Sequence, residues 1–180
     1  MNDRRESDDE GMTLVELIVT VVVGAVVLTL IAITFVSGFT AQRDGVARDS
    51  ATGAANLVAT SVSMSIRNST VFRVNDEGTR VDATYVAPDG TPQCRAWELL
   101  LGGTLVYRSD SSGALPAADA SWAPLATGVV GTLDAGAVFA EDGGKSLRIG
   151  MEITMDQVAV AVTDGVTAQA VSGGGLQCFS

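Results

Sequence analysis

Glu16 poses the first chemical problem in this chain. It stands at the head of a long apolar run, and no Lys, Arg or His lies between Asp9 and Arg43 to neutralise it. A carboxylate at the centre of a bilayer costs about 2.5–3.5 kcal/mol, and less towards the interface. Glu16 therefore either reaches water at the membrane edge or takes a cation from elsewhere. Just ahead of it, Gly11 leaves the backbone unobstructed at the entrance to the run, which suits either a simple turn or an accessible peptide bond. The other reactive residues are Cys94 and Cys178, both in the C-terminal half. Exported, they oxidise to a disulfide; kept inside, they are two separate thiols, and without histidine they supply too few ligands for zinc.

Composition removes several classes of function. The chain has no histidine, so histidine-based triads, the commonest general acid/base and every His-containing metal site are excluded. Eleven basic residues against 21 acidic ones give a formal net charge of -10, which opposes binding to a phosphate backbone, so no direct nucleic-acid partner is expected. There is no phosphate-binding glycine loop, no Cys-x-x-Cys pair and no nucleophile elbow, and neither enzymatic activity nor a cofactor is expected. At 180 residues the chain has room for one globular domain and an anchor.

The anchor is the segment 17–39, LIVTVVVGAVVLTLIAITFVSGF, which exceeds the roughly 20 apolar residues that cross a bilayer. A buried core helix of this length would carry a polar face, and only scattered Thr, Ser and Gly interrupt this one. A secretory signal peptide would start basic, have a shorter apolar core and end in a small-residue cleavage site; here the first ten residues are polar and mostly acidic, although Ser37-Gly38 offers small residues after the run. Arg4 and Arg5 before the segment balance Arg43 and Arg48 after it, so basic residues do not decide the orientation. The cysteines place the C-terminal part outside.

The junction Gly11-Met12-Thr13-Leu14-Val15-Glu16-Leu17 resembles the class III signal of the type IV prepilin and pseudopilin family. That family has a polar leader ending in Gly, a cut before an apolar or Met residue, a Glu shortly after it, and an uninterrupted apolar run. The resemblance implies that a prepilin peptidase cuts between Gly11 and Met12 and methylates the amine of Met12. It also implies that Glu16 pairs with the Met12 amine of a neighbouring subunit and sets register during assembly. The family often has a proline within the apolar half; here the first proline is Pro88. The stretch 96–130 bears a weaker resemblance to J-type minor pseudopilins.

Beyond Phe39, Val46, Gly53, Leu57 and Met64 recur at helical spacing among alanines, which predicts a helix continuing to about Arg67, its second half amphipathic. From Thr70 onward short runs rich in Val, Thr, Tyr and Ile predict strands at 71–74, 80–86, 96–101, 104–108, 147–155 and 166–171. Turn signals at Asp89-Gly90, Gly102-Gly103, Ser111 to Gly113, Asp142 to Gly144 and Asp164-Gly165 favour an antiparallel meander. Trp97, Tyr107, Trp122 and Phe139 read as core packing, with a sugar-binding platform as the alternative. Asp76, Glu77, Glu141 and Asp142 read as solvated turns, with a Ca²⁺ site as the alternative.

The expected fold is therefore α+β: a long N-terminal helix, half transmembrane and half amphipathic, packed on a C-terminal antiparallel sheet domain. The expected organisation is a leader 1–11, a pilin helix 12–68 and an exported head 69–180. The expected function is that of a structural, minor subunit of a type IV pilus or type II secretion-like pseudopilus. Its expected partners are the prepilin peptidase, other pilin subunits, a membrane platform protein and, before assembly, the lipid bilayer. Its expected place is the cytoplasmic membrane, crossed once, and then a surface filament. The alternative is a single-pass surface binding module that never enters a filament.

Overall fold

The computed structural model describes residues 13–170 and 178–179. The chain divides into two units, Met1–Arg43 and Asp44–Ser180. One helix, α1 (Leu14–Arg67), runs through both. It ends at the residue that the sequence pattern predicts.

In the first unit every described residue except Gly24 is exposed, and an 18-residue window of the helix reaches a mean hydropathy of 2.8. The interruptions by threonine are chemically muted. Thr20, Thr29, Thr34 and Thr40 each return the hydroxyl hydrogen to a backbone carbonyl of the preceding turn, at Glu16, Ala25, Ile31 and Val36. A hydroxyl satisfied within its own helix presents little polarity to lipid. This is one helix long and apolar enough to cross a membrane.

Among the described residues the second unit contains the rest of α1 and nine strands: β1 (Ser69–Val74), β2 (Arg80–Val86), β3 (Pro92–Leu100), β4 (Thr104–Asp110), β5 (Ala123–Ala126), β6 (Val129–Gly131), β7 (Phe139–Asp142), β8 (Ser146–Met155) and β9 (Val158–Thr167). They form two antiparallel sheets, one in the order β1-β2-β3-β4-β5 and one in which β8 pairs β6 and β7 on one side and β9 on the other. A single meander describes only the first sheet.

The helix face that packs here is not the one the sequence pattern picks out. Ala47, Ala51, Ala55, Val58, Val62 and Ile66 are buried, whereas Val46, Leu57 and Met64 are each more than half exposed and Gly53 has open space around it. Ala55, Val58, Val62 and Ile66 enter the core with Trp97, Leu105, Phe139, Leu147, Ile149 and Met151, and Ala47 and Ala51 are buried on the same row of the helix. Each fully buried Val or Ile of this row contributes about 1.5–3 kcal/mol. Trp97 donates its indole N–H to Ser61 Oγ at 3.1 Å, fixing the helix to β3 through a satisfied polar contact.

The outer face of the first sheet is covered as well. Cys94, Ala96, Val106, Leu115, Trp122 and Cys178 make a second small core there. Arg80 holds the covering loop in place. Its guanidinium pairs with Asp82 and Glu98 at 2.7 and 3.0 Å, donates to the carbonyls of Leu115 and Pro116, and lies over the Trp122 ring. The hydrogen bond to Asp82 raises the already high pKa of Arg80, so its charge is permanent.

Several predicted strands shift. β3 begins at Pro92 rather than 96 and stops at Leu100, with Leu101 wholly exposed in the turn. β9 occupies 158–167, so the predicted strand 166–171 is displaced, and residue 171 lies outside the described residues. Asp164-Gly165 is no turn: it lies inside β9, where the Asp164 carboxylate accepts from Ser63 Oγ and from the Gly165 N–H. That pair of bonds supplies what a turn would otherwise have supplied to the Asp side chain.

The two sheets meet at Gly78. Its carbonyl accepts from the N–H groups of both Val138 and Phe139, and its φ of 67° belongs to glycine. A Cβ at this position would collide with the side chain of Ala137 and approach the Phe139 carbonyl to 2.7 Å.

Candidate functional site

Gly11 and Met12 lie outside the described residues, so the site is visible from Thr13 onward. Thr13 caps α1. Its carbonyl accepts from the Leu17 N–H at 3.1 Å and its hydroxyl accepts from the Glu16 N–H at 3.3 Å. A threonine at the cap with a glutamate three positions on is the capping-box pattern, and it marks the helix start in the sequence, a signal the sequence analysis passed over. Glu16 thus sits in the first turn, where a negative side chain also meets the positive end of the helix dipole.

The Glu16 side chain is exposed and makes no ion pair or hydrogen bond among the described residues. The residues that follow it offer only apolar surface: Leu17, Ile18, Val21 and Val22 are all more than half exposed. The arrangement is a single carboxylate at the rim of an apolar cylinder. Such a group can attract one cation or amine, and among the described residues it has nothing beside it with which to do acid–base chemistry.

The second predicted pair is joined. Cys94 in β3 and Cys178 form a disulfide, with Cα atoms 5.2 Å apart. It ties the end of the chain to the outer face of the first sheet, where both sulfurs are buried.

The remaining predicted residues resolve into structure. Trp97, Trp122 and Phe139 are buried, and Tyr107 packs on Trp97 with ring centroids 5.2 Å apart, so these aromatics form core rather than a platform. Asp76, Glu77 and Glu141 border an open groove of about 780 Å³ along the edge of β1, with Arg73 and Phe179 on its wall. Glu141 accepts from the Val74 N–H at 2.9 Å. Among the described residues no three carboxylates, cysteines or histidines converge on a point that would hold a metal ion.

No curated protein and no solved structure matches this chain, which leaves the J-type resemblance of 96–130 without a counterpart. One family model does match. It is described as the prokaryotic N-terminal methylation motif, and it covers residues 7–32, which contain Thr13, Glu16 and the start of the apolar helix. The chain therefore carries a class III methylation signal, of the kind found in type IV pilins and pseudopilins, at the head of a pilin-like α+β fold.

Proposed function

We propose that this protein is a subunit of a type IV pilus or a type II secretion-like pseudopilus, held in the cytoplasmic membrane by residues 17–39 until it is assembled. The leader 1–11 is removed by a prepilin peptidase at the Gly11–Met12 bond, and the same enzyme methylates the new Met12 amine. The helix 12–68 then carries the exported head 69–180 into the filament. The resemblance of 96–130 to J-type pseudopilins favours a minor subunit.

The observation that carries this reading is Glu16, without a partner among the described residues, within a matched methylation motif at the rim of a helix with no basic residue before Arg43. Cleavage creates the missing cation. The Met12 amine of one subunit, drawn to Glu16 of the next, fixes axial register, and the attraction grows as water leaves the closing filament core. The platform protein and other pilin subunits are the partners this requires.

The test is the N-terminus of the protein recovered from native membranes. Peptide mass analysis is expected to find a chain starting at methylated Met12. A chain that starts at Met1 removes the pilin reading and leaves a membrane-tethered surface module, and one cut after the apolar run removes it and leaves a released protein.

A further inference from the structure

Among the described residues the edge of β9 is left unguarded, and its geometry is self-complementary. Amides of Thr154 and Gly150 in β8 point towards the β6 and β7 side, where Thr154 donates to Gly128 and Gly150 to Val138. The odd-numbered residues of β8 therefore face β9, where Ile153 pairs with Val160 and Met151 with Val162. It follows that Ala159, Ala161 and Thr163 turn their N–H and C=O groups away from the sheet. None of them has a hydrogen-bond partner among the described residues, and all three are exposed.

Sheet edges are ordinarily protected by lysine, proline, a bulge or a covering element. β9 reads VAVAVTDGVT, pairs with β8 without a register shift, and carries neither lysine nor proline. Its guard is confined to one end, where the Asp164 carboxylate takes the Gly165 N–H. On the core side, Val158 and Val160 remain half-buried for want of a strand beyond them.

We propose that β9 pairs antiparallel with β9 of a second copy of this chain, across a two-fold axis at Ala161. In that register Ala159 faces Thr163 of the other copy and Ala161 faces Ala161, which brings all the free edge groups together in about six ladder hydrogen bonds. The side chains that meet on the solvent face are Ala and Thr, small enough to pack without rearrangement. On the core face Val160 meets Val162, covering the half-buried valine. Asp164 falls opposite Val158, so no two carboxylates oppose each other despite the net charge of -10. A strand of unlike sequence would satisfy the backbone equally well, but the complementarity of Ala, Val and Asp positions with themselves selects a second copy. This contact is separate from helix packing and from processing at Gly11–Met12.

The test is cross-linking of the full-length chain in its own membranes, with single cysteines added to the native disulfide-bonded protein. Ala161→Cys lies on the axis and is expected to give a disulfide-linked homodimer under mild oxidation, well above the yield from Ser111→Cys in an exposed loop. Thr163→Pro, added to Ala161→Cys, removes an amide that points out of the sheet and is expected to return the yield to the Ser111→Cys background. A thermal midpoint shared with the parent shows that this second variant is folded. If it unfolds, the comparison of Ala161→Cys with Ser111→Cys decides alone. Equal yields from those two, or an Ala161→Cys product joined mainly to a different polypeptide, overturn the proposal.

Discussion

Removing the Cys94–Cys178 bond is expected to lower the stability of the second unit more than any single surface change. The bond closes a loop with a sequence separation of 84, and on the chain-entropy account such a loop restricts the unfolded chain by about 4.5 kcal/mol at 25 °C. A unit of about 140 residues unfolds with an entropy near 0.3 kcal/mol per kelvin, so the full effect lowers the midpoint by about 15 °C. Residual structure in the unfolded chain reduces this, and about 10 °C is the practical expectation.

The assay is thermal unfolding of the purified full-length protein in detergent, comparing the parent, the reduced parent and the double variant Cys94→Ala, Cys178→Ala. Reduction and substitution are expected to agree within a few degrees, because the loop constraint dominates over the loss of two small buried sulfurs. The fluorescence change is expected to start at Trp122, which shares the outer cluster with both cysteines, while Trp97 in the main core follows the global transition. A shift below about 3 °C for both perturbations would refute the reasoning, since it would mean that the end of the chain adds nothing to the fold.

Glu16→Ala is expected to leave cleavage and membrane insertion intact and to reduce the protein recovered in sheared filaments; normal incorporation would show that Glu16 does not set register. Gly78→Ala combines a positive φ with a collision at Ala137 and Phe139, so it is expected to destabilise the second unit by more than about 1 kcal/mol in chemical denaturation. Asp89, Asp110 and Asp119 each accept from a hydroxyl and an N–H two residues on, which holds their pKa values below the usual carboxylate value. A depressed folded-state pKa contributes stability that is present above the ordinary value near 4 and is lost as pH falls through the folded one. The midpoint is therefore expected to fall as the pH drops below about 4, and less steeply when the three are changed together to Asn.

How far the fold was legible depended on how much of each element is decided locally. The apolar run and the end of α1 are local facts, and both stand where the sequence places them. β2 is likewise bounded at 80–86, because alternation and flanking turns agree. β5, β6 and β7 are only three or four residues long and owe their existence to pairing with β4 or β8, which no local pattern reveals. β9 was hidden by its own Asp164-Gly165 step, whose turn tendency gives way to the Ser63 hydroxyl brought in from α1. At the site, Glu16 is legible because its charge is out of place, and the Thr13-x-x-Glu16 spacing is the local signal that marks the cap.

The face chosen by α1 in the second unit shows why hydrophobicity alone misleads there. Val46, Leu57 and Met64 offer more apolar area than Ala47, Ala51 and Ala55, yet the alanines are the ones buried. Interiors are packed to nearly crystalline density, so a contact is worth what its atoms can reach. A row headed by Val46 and Leu57 would turn Val58, Val62 and Ile66 out of the core and carry Ser61 away from the Trp97 indole. The buried row instead places Ala55, Val58, Val62 and Ile66 in the core and Ser61 within reach of the Trp97 indole. Exposure of the larger side chains costs little, since isolated apolar residues are common on surfaces. Shape decides the packed face, and the bulkier residues are left facing outward, available to whatever lies beyond the fold.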